Sequence, residues 1–317
     1  MGCSLCYALH MKHHFLHLNV AAISLCLCLG ATAQIQNDLP AEIARINIKA
    51  SPHAATPVDM PVHVFKPTLT QMNAGAGPWP VVVFSHGRAG TLEERAALKA
   101  PVSSALVRYW HGKGYAVVAA VRPGYGDNTA EDPEDHGARW NGNVCSGAAD
   151  FRKTAQAAAH TISQIQEWLP SQPWANKERI VLVGQSVGGF ASVAACGQNL
   201  PGVVGCINFS GGSGGNPRTS PGASCQPDRI GEVLSSAAST TRAPSLWLYA
   251  ANDLYWGPDA PKKWHQAHVQ AATAAGQKNT ADFYAAPAVA QDGHRLLAAG
   301  TNYWQPVLNN WLKKSGL

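Results

Sequence analysis

Gly184-Gln185-Ser186-Val187-Gly188 sets one hydroxyl between two residues that lack side chains, directly after the apolar run Ile180 to Val183. Gly189 and the small residues from Ala191 to Ala195 follow. A buried strand that turns sharply into a small-residue helix lifts the hydroxyl at the turn above the sheet edge, where it can attack an electrophilic carbon. The helix starts at the same place, so its N-terminal dipole and the Val187 N–H point toward negative charge developing there. The chemistry this spacing suits is nucleophilic attack with Ser186 as nucleophile.

A serine hydroxyl becomes a useful nucleophile only when a base takes its proton and an acid orients that base. Asp292-Gly293-His294-Arg295 follows a weak apolar run and precedes the last helical pattern, which makes His294 the expected base. His265 and His268 are its rivals, but both fall inside a helical segment, and a base is better presented from a loop. The strand Ser245 to Ala250 ends in Ala251-Asn252-Asp253, placing Asp253 in a loop at a strand's carboxyl end as the expected acid. Asp292 is the alternative acid, two residues from His294 and better placed to shape its turn. The run Val81 to Phe84 leads into Ser85-His86-Gly87-Arg88, whose backbone is suited to a second oxyanion donor. Arg88 is favoured for it and Ala89 is next. The Arg88 side chain is expected either to meet an anionic substrate or to be solvated, and His86 to shape its loop by hydrogen bonding. Tyr125, Gln185, Tyr255 and Trp256, with His86, are candidate pocket residues.

These residues need a rigid frame. Continuous apolar runs at Val81 to Phe84, Tyr115 to Val121, Ile180 to Val183, Val203 to Phe209, Ser245 to Ala250 and Ala281 to Ala286 alternate with helix-length segments. Strands that are apolar on both faces imply a sheet covered on both sides, so the expected fold is α/β with a doubly wound, mostly parallel central sheet. Ile43 to Lys49 and Met60 to Lys66 alternate like an antiparallel edge. Thr68 to Pro80 reads as a surface turn. Helices are expected over 92–112, 150–169, 187–199, 259–276 and 295–314. The stretches 122–149 and 211–229, rich in Gly, Pro, Ser and Asn, read as long loops of the functional kind.

The 317 residues are 46% hydrophobic and only 14% charged, enough apolar content for one large domain. The net charge of +5 is spread without a basic run, which argues against a nucleic-acid surface. Residues 1–33 read as a signal peptide: Lys12 and several histidines precede the apolar stretch Val20 to Leu29, then Ala31-Thr32-Ala33 offers a small-residue cleavage pattern. A start at Met11 gives this leader more usual proportions, and a lipid anchor at Cys26 or Cys28 is disfavoured by the leucine before each. The domain then runs over 34–317, secreted or periplasmic, with no stable membrane span. Four of the eight cysteines fall in the leader. The remainder suggest two disulfides with three possible pairings, of which Cys196–Cys206, across a short helix-to-strand connection, with Cys145–Cys225 is favoured. The cysteine spacing does not resemble a zinc site, and the cluster His13, His14 and His17 sits in the leader.

Taken in order over residues 80–314, Ser85-His86-Gly87, Arg122-Pro123-Gly124-Tyr125-Gly126, the Ser186 turn, Asp253 and Asp292-Gly293-His294 resemble the dienelactone hydrolase-like branch of the α/β-hydrolase superfamily. The resemblance implies a Ser-His-Asp hydrolase that needs no metal or organic cofactor. Serine stands where dienelactone hydrolase proper carries cysteine, which shifts the expected substrate toward ordinary small-molecule carboxylic esters with a small or medium acyl group. The exported, cysteine-bridged character is also similar to bacterial secreted esterases and polyesterases. Their usual Trp or His beside the nucleophile is Gln185 here, which argues against a polyester substrate. A peptidase or amidase of the same fold is the nearest alternative, and a non-catalytic binding protein of that fold the more distant one.

Overall fold

The structure is a computed structural model, and it describes residues 38–68, 77–129, 131–278 and 281–317. The leader expected over 1–33, and most of the turn expected over 68–80, lie outside the described residues.

In chain order the strands are β1 (Glu42–Lys49), β2 (Pro57–Phe65), β3 (Trp79–Ser85), β4 (Ala116–Ala120), β5 (Arg139–Asn141), β6 (Val144–Ser146), β7 (Ala175–Gln185), β8 (Val203–Phe209), β9 (Gly215–Asn216), β10 (Ser220–Ser224), β11 (Ser245–Ala250) and β12 (Ala281–Ala286). The helices are α1 (Leu92–Ala96), α2 (Ser104–His111), α3 (Phe151–Trp168), α4 (Val187–Cys196), α5 (Pro227–Ala238), α6 (Ala260–Ala274), α7 (Leu296–Ala299) and α8 (Thr301–Lys314).

Eight strands form one sheet in the order β1-β2-β4-β3-β7-β8-β11-β12. The six from β4 to β12 run parallel, and the β1–β2 hairpin joins antiparallel through β2 and β4. The doubly wound, mostly parallel sheet expected from the apolar runs is the one found. Alternate side chains of each central strand enter opposite cores. Val82, Phe84, Val181 and Val183 pack with Trp110 of α2 and with Trp304 and Leu308 of α8. Val81, Val83, Ile180 and Leu182 pack with Ile162 and Ile165 of α3 and Ala191 of α4. Burial on both faces is the reason these strands read as unbroken apolar runs rather than as alternation.

After β3 the chain crosses to β4 on one side, and it later returns to β7 on the other. That makes the gap between β3 and β7 the point where the winding reverses, and the carboxyl ends of strands flanking such a reversal leave an open crevice. Gly184 of β7 is paired with Ser85 of β3, so the segments after these two strands leave the sheet side by side.

Four expected features differ. The helix expected over 92–112 is two helices, because Pro101 breaks the ladder and Ser103 caps α2 through its hydroxyl. The last helix is divided at Gly300 into α7 and α8. The loop expected over 211–229 holds the β9–β10 ribbon and the start of α5, which Pro227 and the spacing of Ile230, Leu234 and Ala238 mark. The other long loop, 122–149, contains the β5–β6 hairpin.

Candidate active site

Ser186 stands between the last residue of β7 and the first of α4 with φ 57° and ψ −127°, a conformation that glycine adopts freely and serine does not. The surroundings hold it there. Its N–H donates to Phe209 O at 3.0 Å, and its carbonyl accepts from Phe190 N at 3.0 Å and Gly212 N at 3.3 Å. Gly184 and Gly188 allow the strand and helix to close on each other: a Cβ on Gly184 would collide with the Gly188 backbone, and one on Gly188 with the carbonyl of Ser85. The β3 loop presses on the turn as well, since a Cβ on Gly87 would lie 3.3 Å from the Ser186 Cβ. The N–H groups of Val187 and Arg88 have no acceptor among the described residues.

The structure brings His294 and Asp253 together at the same end of the sheet. The His294 Nδ1 lies 3.1 Å from the Asp253 Oδ2, and the other carboxylate oxygen accepts from the N–H groups of Tyr255 (2.8 Å) and Trp256 (3.2 Å). With Nδ1–H donating to the carboxylate, the imidazole keeps its lone pair on Nε2. Asp253 is 1% exposed and His294 7%, so this bond is shielded from competing water. Asp292 does what its place in the sequence suggested. Its Oδ1 accepts from His294 N at 2.9 Å and from Leu254 N at 3.0 Å, pinning the histidine turn to the loop that carries Asp253. Gln185 adds a third tie, its Nε2 donating to His294 O at 3.1 Å. His265 and His268 lie apart from this group, bonded to the carbonyls of Ala281 and Leu234 and packed around Trp247.

The aromatic candidates divide. Tyr255 stacks on the His294 ring at 4.0 Å between centroids with 29° between planes, and Trp256 meets it edge-on at 5.4 Å. Trp256 is buried and donates to Ser210 O at 2.8 Å, whereas Tyr255 is half-buried. Burial, and after it the charges of Asp292 and Asp253, raise the Tyr255 phenol above its ordinary value. Tyr125 does not line an opening. It is 1% exposed, packs edge-on against His86 at 4.6 Å and donates its hydroxyl to Glu134 at 2.8 Å.

His86 is buried and neutral, its imidazole pushed well below the ordinary range by desolvation and by the Arg122 charge. Its Nε2 accepts from Arg122 N at 3.3 Å, which puts the proton on Nδ1 for the 2.7 Å bond to Gly87 O. Arg88 is neither solvated nor free for an anion. Its guanidinium forks onto Asp132 at 2.6 and 2.5 Å. Burial works to raise the Asp132 carboxyl, but the Arg88 bonds and the charges of Arg88 and Arg95 outweigh it and hold the group below its usual value. The sequence alone assigns no role to Arg122, Asp132 or Glu134. The signal available was an acidic run, Glu131-Asp132-Pro133-Glu134-Asp135, inside a long loop.

Two disulfides tie elements of the domain together. Cys196–Cys206 links α4 to β8, and Cys145–Cys225 links the β5–β6 hairpin to the segment before α5, with Cα separations of 6.3 and 5.5 Å. Gln226 reinforces the second, accepting from Ala149 N and donating to Gly147 O. A surface cavity of about 740 Å3, lined by Trp79, Lys113, Tyr115, Arg179 and Lys313 among others, opens at the amino ends of the strands, away from Ser186. Among the described residues no helix is long and apolar enough to cross a membrane, and no cluster of three His, Cys, Asp or Glu residues is arranged to hold a metal.

No family model matches the sequence, and neither does any curated protein sequence. Solved structures are similar in fold. An acylaminoacyl peptidase of Pyrococcus horikoshii superposes with a TM-score of 0.56 at 15% identity, over 87% of this chain and 42% of that one. A Klebsiella pneumoniae protein described as a dienelactone hydrolase gives 0.51 at 18% identity, over 86% and 98%. An esterase of Pyrococcus furiosus gives 0.56 at 11% identity, over 88% and 96%. The chain thus spans less than half the length of the peptidase and nearly the whole length of the other two. These likenesses show that the chain has the α/β-hydrolase fold.

Proposed function

We propose that this chain is a serine hydrolase of carboxylic esters, with Ser186 as nucleophile, His294 as general base and Asp253 as the acid that orients it. The observation that carries the reading is the Asp253–His294 pair at 3.1 Å, at the same sheet end as a serine held in a left-handed turn. Ser186 Oγ attacks the ester carbonyl as His294 Nε2 takes its proton. The Asp253 carboxylate, itself held by two backbone N–H groups, keeps Nδ1 protonated and stabilises the imidazolium that forms. Val187 N–H and Arg88 N–H receive the oxyanion, an effect worth about 3 kcal/mol for a donor of this kind. His294 then returns the proton to the leaving alcohol, and water activated by the same nitrogen releases the acid.

The fold likeness to an esterase and to a protein described as a dienelactone hydrolase, each matched over nearly its full length, supports an ester substrate. A peptidase reading draws on the likeness to acylaminoacyl and dipeptidyl peptidases, of which the chain covers 42% and 35%. The two disulfides support export to an oxidising compartment, where such bonds persist.

The test is hydrolysis of p-nitrophenyl esters of increasing acyl length beside a peptide anilide series, with Ser186→Ala as control. Short and medium esters are expected to turn over and the alanine variant to be silent. Equal turnover by both proteins sinks the proposal, and anilide turnover exceeding ester turnover transfers it to the peptidase reading.

A further inference from the structure

We propose that Asp132 and Glu134 are positioning residues for the oxyanion donor, acting through Arg88 and Arg122 to fix the direction of the Arg88 N–H. The inference rests on the ester-hydrolase reading above.

The loop from Ser85 to Arg88 is held by two guanidinium groups, one on each side of the donor. On the inner side, Arg122 donates from Nη1 to His86 O at 2.5 Å and to Ser85 Oγ at 3.1 Å. The same planar group is locked from behind by Glu134, through Nε to Oε1 at 2.6 Å and Nη2 to Oε2 at 3.2 Å. Glu134 is fixed in turn by the Tyr125 hydroxyl at 2.8 Å, and its backbone carbonyl by the Thr154 hydroxyl of α3 at 2.8 Å. On the outer side, the Arg88 side chain forks onto Asp132, whose Oδ2 also lies 3.1 Å from Arg95. The Arg88 N–H therefore sits between a clamped carbonyl at His86 and its own clamped side chain, and both clamps end in one short acidic segment.

Such an arrangement is a poor way to gain stability. A buried pair such as Arg122 and Glu134, with side chains 2% and 1% exposed, gives back in desolvation much of what it gains in attraction, and packed apolar residues serve as well. What a forked guanidinium supplies is direction, since its donors lie in a fixed plane. Direction is what an oxyanion donor needs, because it acts only at about 2.7–3.1 Å from the developing charge.

The experiment compares wild type, Asp132→Asn, Arg88→Ala and the double variant, with kcat and KM for a p-nitrophenyl ester normalised to sites titrated by a fluorophosphonate. Arg88→Ala keeps the backbone N–H and removes the fork onto Asp132 together with the 3.8 Å approach of Nη1 to Glu134 Oε2. Each single variant is expected to lower kcat about tenfold with KM changed less than twofold. The double variant is expected to fall no further, because either change opens the same clamp. The rate of Ser186 phosphonylation, which passes through the same charge development, should drop by the same factor as kcat. Glu134→Gln is expected to act alike. It strips a buried arginine of its charge partner, so the more accessible Arg88–Asp132 pair carries the test. Asp127→Asn, which removes an exposed ion pair with Lys99 in the same loop, is the control expected to match wild type.

Wild-type kcat per titrated site in both single variants overturns the proposal, as does a double variant whose losses multiply, or a loss confined to KM. A change in melting temperature with kcat per site intact assigns the clamp a structural role only and overturns it too. A wild-type chain that neither turns over ester nor labels at Ser186 overturns the hydrolase reading itself, an outcome distinct from active wild type with unaffected variants.

Discussion

Asp253→Asn changes one atom, and its consequence follows from what each carboxylate oxygen does. Oδ1 accepts from the N–H groups of Tyr255 and Trp256, so the asparagine carbonyl must take that position. Turning the amide round would break both bonds and set its NH2 against two donors, at roughly 1–3 kcal/mol for each unsatisfied group. The NH2 is therefore forced onto the Oδ2 position, 3.1 Å from His294 Nδ1. A donor there requires Nδ1 to accept, so the proton moves to Nε2 and the base loses the lone pair that should face Ser186. For a triad serine hydrolase, locking the histidine in this tautomer costs about 10⁴ in kcat, or about 5.4 kcal/mol of barrier. The assay is p-nitrophenyl ester hydrolysis with active-site titration, alongside a melting curve, which should be nearly unchanged because the shape is preserved. Asp292→Asn is the internal comparison. Its two backbone donors both meet Oδ1, which an asparagine carbonyl replaces, so turnover is expected within about threefold of wild type. A loss below tenfold for Asp253→Asn in a folded protein, or a larger loss for Asp292→Asn, would refute this assignment of acid and turn.

Gly188→Ala drives a Cβ into the carbonyls of Ser85 and His86, and is expected to cost roughly 3 kcal/mol or more, read as a lowered urea midpoint with loss of activity. Burial pushes the His268 imidazole down to about 4. Because the unfolded chain, near 6.5, binds more protons between those values, stability is complete above about pH 6.5 and falls by about 3 kcal/mol as pH drops to 4. His268→Leu should flatten that slope in pH-dependent urea titrations, and an unchanged slope would exclude His268 as its source. The two disulfides close loops with sequence separations of 80 and 10 residues. Loop-closure entropy then predicts losses of about 4.5 kcal/mol for the Cys145–Cys225 pair and about 2.7 kcal/mol for Cys196–Cys206 when each is replaced by alanines. The reverse order in denaturant titrations would point to strain or denatured-state structure instead.

The residues that could be found in the sequence share one property: each lies within three positions of the end of an apolar segment or at the start of a helix. Ser186 follows β7 and Asp253 follows β11, while His294 precedes α7, so local pattern places them at one end of a parallel sheet. The paired residues in the loops escaped because the acidic run Glu131 to Asp135 does not say which arginine each acid meets. Arg88 and Asp132 are 44 positions apart, and Arg122 meets Glu134 across 12 positions of an irregular loop. An arginine in a Gly-rich loop and an acid in another read as surface charge until their distance is known. Tyr125 illustrates the same limit, since aromatic character alone does not separate a pocket wall from a residue sealed beneath His86. The division of the 92–112 helix and the start of α5 were legible in Pro101 and Pro227, where local backbone chemistry speaks plainly.

With Ser186 as the proposed nucleophile, its left-handed backbone sets durability against turnover at a single codon. Serine at φ 57° and ψ −127° carries about 1–3 kcal/mol of strain that glycine would not. Glycine there would relieve part of it and delete the hydroxyl. Any lineage selected only for persistence, in heat or among proteases, would therefore drift toward the residue that abolishes attack. On the proposed role, a variant sought by screening for thermal stability alone would be expected to favour glycine at this position and lose activity with it.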